Sequence, residues 1–223
     1  MPDLSKFILI EKRSLTRWSL AVFPRDISVA DLRPNGKLEV RLTNHPRKAI
    51  QNLRGYHIYY QLENGEYWVE IDADYYLPRR FLVPLPLPAP PPGDDDVTLT
   101  DINGAVLAEV DLQPGVTYPF PSGATLVQGE VLDPAGNPLR NATITVTSTT
   151  GGASVSGFEV DHKGQFVLFC NPITHDEIIK INGKAFGGGR NLTLQAFDPD
   201  LGASPTEDLT VEEGKRVFRC LQY

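Results

Sequence analysis

The chain has 223 residues, a formal net charge of −7 and a pI near 5.1, an acidic balance that argues against general affinity for nucleic acid. Its 41% hydrophobic content supports a buried core and excludes wholesale disorder, while 19 Pro and 19 Gly favour many short elements divided by turns. The charge is uneven: residues 1–92 carry 13 Lys+Arg against 10 Asp+Glu, and residues 93–223 carry 8 against 18, or +3 beside −10.

The opening stretch, MPDLSKFILIEKRSL, contains a four-residue apolar run from Phe7 to Ile10, too short for a signal-peptide core. No later run approaches a membrane span. The expectation is a cytoplasmic protein that contacts neither membrane nor nucleic acid. On that footing Asn141-Ala-Thr143 and Asn191-Leu-Thr193 are polar surface and not glycosylation acceptors.

Further along, alternation with a period of two dominates and helical periodicity is nearly absent. Gly36 precedes a strand, LEVRL. In GYHIYYQLENGEYWVEIDADYY, Tyr56, Ile58, Tyr60 and Leu62 share one face, and His57, Tyr59 and Gln61 the other. Asn64-Gly65 is a strong hairpin-turn signal. The return strand places Tyr67, Val69 and Ile71 inward, with Trp68, Glu70 and Asp72 outward. This predicts a hairpin whose outer face aligns Tyr59 with Trp68.

LPLPAPPPGDDD, Leu85 to Asp96, reads as a polyproline spacer followed by an acid run, because proline fixes φ and removes backbone donors. Beyond it, Gly136 precedes a strand, ATITVT, as Gly36 does upstream. GQFVLFCNPITHDEIIKINGKAF starts at Gly164, turns near Asn171-Pro172 and returns through Ile179 and Ile181, echoing Gly55 to Ile71. The echo predicts a divergent tandem repeat, two sandwiches of similar plan. Cys170 and Cys220 each end an apolar strand-like run and are expected to be structural thiols. A bridge between them would require neighbouring strands.

The second half carries a more specific pattern. Gly129 and Val131, the turn Asp133 to Gly136, Pro138 and Leu139, the small Ala142 before Ile144 and Val146, then Asp161, Gly164 and Phe166 recur at defined spacing. Residues 126–166 resemble the carboxypeptidase regulatory-like domain, a β-sandwich of transthyretin (prealbumin) type. The resemblance departs after Phe166, where NPITHDEI replaces the usual Pro-Gly-x-Tyr turn; residues 36–84 match only the family's later half. It implies two Greek-key sandwiches in tandem: residues 1–84, a Pro-rich and acidic linker with its connecting segment over 85–117, and the regulatory-like domain over 118–223. The motif residues then have folding roles and form no active site.

Catalytic and metal chemistry finds little footing. His45, His57, His162 and His175 form no His-x-Glu or His-Glu-x-x-His ligand pair. His175-Asp176-Glu177 is the best acid–imidazole cluster, and it falls in a predicted turn. There is no Gly-x-Ser-x-Gly elbow. Gly187 to Arg190 lacks a Walker lysine and a following helix. Two enzymatic relatives of the topology fail as models: the histidines lack the spacing of an intradiol dioxygenase iron site, and the terminus CLQY is not that of a hydroxyisourate hydrolase. Asp94-Asp95-Asp96 and FDPDLG, with Asp198 and Asp200, put carboxylates on loops without an EF-hand spacing. No cofactor is expected.

Two functions from different classes remain. One is a non-catalytic structural or interaction module that engages a protein partner or its own copies. Tandem domains of this kind resemble accessory proteins of phage-tail-like contractile particles, an impression to which YPFPSGATLVQGEV contributes. The other is a carbohydrate-binding module that stacks sugar rings on Tyr59 and Trp68.

Overall fold

The structure, a computed structural model, describes residues 18–26, 28, 33–43, 45–92, 96–149, 154–170, 179–186 and 189–223. Asp94, Asp95, the Asn171-Pro172 turn, His175-Asp176-Glu177 and Gly187 lie outside them. Every regular element described is a strand, so the protein is all-β, and no described helix is long and apolar enough to cross a membrane.

The first eight strands are β1 (Trp18–Arg25), β2 (Leu38–Leu42), β3 (Ile50–Gln51), β4 (His57–Tyr60), β5 (Gly65–Ala73), β6 (Arg79–Leu85), β7 (Val97–Ile102) and β8 (Ala105–Asp111). They form a five-stranded sheet, β3-β4-β1-β8-β7, facing a three-stranded one, β2-β5-β6. Period-two alternation turns Leu20, Val22, Val40, Leu42, Val69, Ile71, Val83 and Val110 into one shared core. Each such side chain contributes about 1.5–3 kcal/mol relative to exposure.

Ten further strands follow: β9 (Thr125–Leu132), β10 (Thr143–Ser148), β11 (Ser154–Glu159), β12 (Gln165–Cys170), β13 (Ile179–Ile181), β14 (Lys184–Phe186), β15 (Asn191–Asp198), β16 (Gly202–Ala203), β17 (Glu207–Thr210) and β18 (Arg216–Gln222). One sheet runs β14-β13-β12-β9-β18; the other runs β11-β10-β15, with β16 and β17 both paired to β15. Ile144, Val146, Phe158, Phe166, Leu168, Leu192 and Leu194 fill the space between these sheets.

The pairings of the two halves correspond. β1 pairs antiparallel with β4 and parallel with β8, and β9 does the same with β12 and β18. β2–β5–β6 repeats as β10–β15–β17. Gly36 precedes β2 and Gly136 precedes β10, which take corresponding places in these pairings. Gly55 and Gly164 likewise precede β4 and β12.

Two local expectations fail. β4 and β5 lie in different sheets, so Asn64-Gly65 joins the layers and closes no hairpin. The five residues of Tyr56-His-Ile-Tyr-Tyr60 are all compatible with burial, so alternation alone could not choose their inner face. Contacts with β1 chose it, and His57 and Tyr59 point inward. The echo therefore breaks after its first strand: β12 pairs with β13 within one sheet, while β4 and β5 do not pair.

Residues 97–111, expected within the connecting segment, form β7 and β8 of the first sheet. Leu85 is buried in the first core and Leu87 packs against it, so the start of this stretch is tied to that half. The reason is the parallel β1–β8 pairing, a long-range contact that no local pattern announces.

Cys170 and Cys220 remain free thiols. β9 separates their strands, and they stand opposite Thr125 and Glu130. Two strand spacings, about 9–10 Å, already exceed the reach of a disulfide. Burial pushes the Cys170 thiol up to about 12, whereas Cys220 is exposed. A thiol reagent is therefore expected to modify Cys220 in the native protein and Cys170 only after denaturation. Two equivalents reacting at equal rates under native conditions would contradict this packing.

Candidate functional site

The regulatory-like motif is a matched pair of turns. Asp133 Oδ1 accepts from the backbone N–H groups of Ala135 and Asn137, both at 2.8 Å, and Oδ2 accepts from Asn137 Nδ2 at 2.9 Å. These bonds hold its carboxyl below the usual range. Asp161 repeats the pattern with Lys163 and Gln165, again at 2.8 Å. Gly136 and Gly164 close the two turns at φ +84° and +72°.

The turns are laced together. Val131 N–H donates to the Gly164 carbonyl at 2.8 Å, and Leu139 N–H to the Val131 carbonyl at 2.9 Å. A bridge links Pro138 to Leu132. Ala142 is buried in the second core. Gly129 is the tightest position, for a Cβ there would stand 2.0 Å from the Arg219 carbonyl oxygen on β18. These residues are committed to folding.

The paired aromatic platform does not form. Tyr59 is 1% exposed and donates its hydroxyl to the Val40 carbonyl at 3.0 Å. Burial raises this phenol to about 12. Trp68 lies on the outer face of the other sheet, 44% exposed, with the Arg80 guanidinium 4.6 Å from its ring centroid. One solvent-facing indole packed by an arginine is what remains of the sugar surface.

Three arrangements escaped sequence reading. At the end of β1, buried Asp26 accepts from the hydroxyls of Tyr76 at 2.7 Å and Tyr118 at 2.6 Å, from Ser28 N–H at 2.9 Å, and from the Ser28 hydroxyl. Asn35 completes the cluster, donating its N–H to Tyr76 Oη at 2.8 Å and Nδ2 to Tyr118 Oη at 3.2 Å. A lone aspartate after an apolar strand gives no sequence signal for such a hub.

The second arrangement joins the halves. Gln113 Nε2 donates to the Gly157 carbonyl at 2.8 Å, and its Oε1 accepts from Glu159 N–H at 3.0 Å. Arg79 reaches Glu159 at 2.9 Å and Asp96 at 3.3 Å. Phe120 packs on Phe169 with centroids 5.3 Å apart. Asp96, read from the sequence as one of a run of loop carboxylates, is a buried member of an ion cluster.

The third is an open groove on one side of the first sandwich. Phe23, Arg33, Lys37, Gln51, Arg54 and His57 line a space of about 510 Å³. An adjoining space of about 450 Å³ shares Leu38, Gln51 and His57 and adds Arg41, Arg47 and Lys48, with Glu39 as its acid. Phe23 and Tyr56 stack at 4.5 Å to form a wall. Burial lowers the pKa of His57. The groove's charged lining is thus mostly Lys and Arg, with Glu39 opposing them. Among the described residues, no three His, Cys, Asp or Glu side chains are placed to hold a metal.

No family model matches the chain, and no curated protein does. Several solved structures are similar at low level. The Bacillus anthracis TIE protein is 16% identical with a TM-score of 0.31 over 93% of this chain, which spans only 34% of that protein. A streptococcal ancillary pilin is 11% identical with a TM-score of 0.27, covering 92% of this chain and 68% of its own. The shaft pilin SpaA from Lactobacillus rhamnosus GG is 9% identical with a TM-score of 0.26, over 93% and 97%. Likenesses of this size assign no function.

Proposed function

We propose that this chain is a non-catalytic structural module that serves a larger assembly through protein contacts. The observation that carries the reading is where the reactive groups are spent. Asp26 is saturated by Tyr and Ser donors, Asp133 and Asp161 by turn amides, and Cys170 lies in the core. Apart from the exposed Cys220 thiol, the described surface offers charges for contact: a basic groove on one half and an acidic excess on the other.

The corresponding plans of the two halves, with the paired Asp-x-x-Gly turns, support tandem prealbumin-like sandwiches of the regulatory-like kind. Two unbridged thiols favour a reducing compartment, the cytoplasm. The finer reading is an accessory component of a phage-tail-like particle.

The test is sedimentation of the tagged full chain expressed at its native level. It is expected to travel in a particle much larger than its own 24.6 kDa, with a reproducible set of proteins. Electron microscopy of that fraction would reveal contractile tubes if the finer reading holds. A species that migrates only as a free 24.6 kDa chain overturns the proposal.

A further inference from the structure

The basic groove lies beside an edge strand. β3 pairs only with β4 among the described strands, and both its residues, Ile50 and Gln51, are exposed. Two edge strands line the groove, and β2 is already used at its centre, where the Val40 carbonyl accepts from Tyr59. At the groove, β3 is therefore the edge open to an added strand.

Its surroundings specify the charge of what it would take. Arg41 is neutralised by Glu70 at 2.9 Å and Asp72 at 2.8 Å, and the Arg47 guanidinium is anchored on the Tyr60 carbonyl. Lys37, Lys48 and Arg54 form no ion pair among the described residues. Ile50 and Leu53, 60% and 100% exposed, add apolar contact beside these cations. An acidic extended segment with an apolar component fits this surface.

The same chain displays such a segment. β17 pairs only with β15, leaving its other edge without a strand among those described. Glu207 and Asp208 are exposed on it, and Glu212 and Glu213 follow at once, giving four carboxylates within seven residues. Glu207 and Glu212 are partly engaged by Arg219 and Lys215, whereas Glu213 has no ion pair among the described residues.

We propose that the acidic edge strand β17 of one copy lies along β3 in the basic groove of the next copy. This rests on the assembly reading above and names a second copy as partner. The contact joins different surfaces of identical chains, so it is head-to-tail and propagates into open filaments unless the rotation closes a ring. Charge complementarity orients the encounter, while strand pairing and the Ile50–Leu53 contact hold it.

Sedimentation velocity of the full chain across a concentration series tests this. Self-association is expected at low salt and should weaken about tenfold or more at about 0.5 M NaCl, where screening shortens to a few ångströms. Lys48→Glu with Arg54→Glu should abolish it, as should Asp208→Lys with Glu213→Lys. All four positions are exposed, and circular dichroism checks that both variants fold. Mixed together, the two charge-reversed variants should associate again, because each then offers the surface the other lacks.

A wild-type chain that stays monomeric at low salt overturns the proposal. So does association unchanged in either variant, or a mixture that stays dissociated. Recovery of the chain in a large particle without self-association would remove this contact and leave the assembly reading standing.

Discussion

Gly129→Val is expected to destabilise the second sandwich by about 4 kcal/mol or more, enough to leave that half unfolded at moderate temperature. Gly129 pairs with Arg219 in the parallel β9–β18 ladder, and an added Cβ would stand 2.0 Å from the Arg219 carbonyl oxygen. It would also meet the Phe166 ring at 2.6 Å. The ring can rotate, but the carbonyl belongs to a backbone fixed by pairing along all seven residues of β18. The edge strand β18 would have to separate from β9, losing ladder bonds and the core contacts beneath them. Gly129→Ala should already cost about 3 kcal/mol by the same clash.

Gly136 provides the comparison. Nothing stands within 4 Å of a Cβ at Gly136, so its replacement by Ala meets only the strain of φ +84°, about 1–2 kcal/mol. Denaturant titration of the three variants measures the ranking. A Gly129→Ala protein within about 1 kcal/mol of wild type would refute the close approach of β18 to β9.

Asp26→Ala is expected to cost about 3–5 kcal/mol, located in the first sandwich. The carboxyl group accepts from Tyr76 and Tyr118, which lie 50 and 92 residues further along the chain. Removing it leaves two buried phenol hydroxyls without their acceptor and frees the end of β1 from both segments. The Tyr76 and Tyr118 rings meet edge-on at 5.5 Å, so the loss spreads through their packing. Combining Asp26→Ala with Tyr76→Phe and Tyr118→Phe should recover part of the loss, because the orphaned donors disappear together. Strict additivity of the three substitutions would mean that Asp26 is not the hub of this cluster.

Both positions show how far local signals carry. The glycines at 36, 136 and 164 were legible because positive φ and the Asp-x-x-Gly pattern are local properties, settled within four residues. Strand content was legible too: Val40 and Leu42, Val69 and Ile71, Ile144 and Val146 alternate because one face of each strand is buried. A glycine of positive φ stands before β2 at Gly36 and before β10 at Gly136. These features depend on short stretches of chain, and the residues specify them directly.

Partnership between strands was decided elsewhere. Asn64-Gly65 favours a hairpin locally, yet the chain passes there from one sheet to the other, since β5 gains two partners, β2 and β6, in the three-stranded layer. That passage buried Tyr59, left Trp68 outside and dissolved the surface that alternation had suggested. β8 entered the first sheet by pairing with β1, as Leu20 with Val106, and brought β7 with it. Asp26, Asp96, Gln113 and Gly129 acquired their roles from segments distant in sequence, as did the basic groove. By itself the sequence determined that the chain is β-structured, where it turns and which half is acidic. Only the tertiary structure decided which edges stay open and which charges meet, because burial and long-range pairing are properties of the assembled sheets.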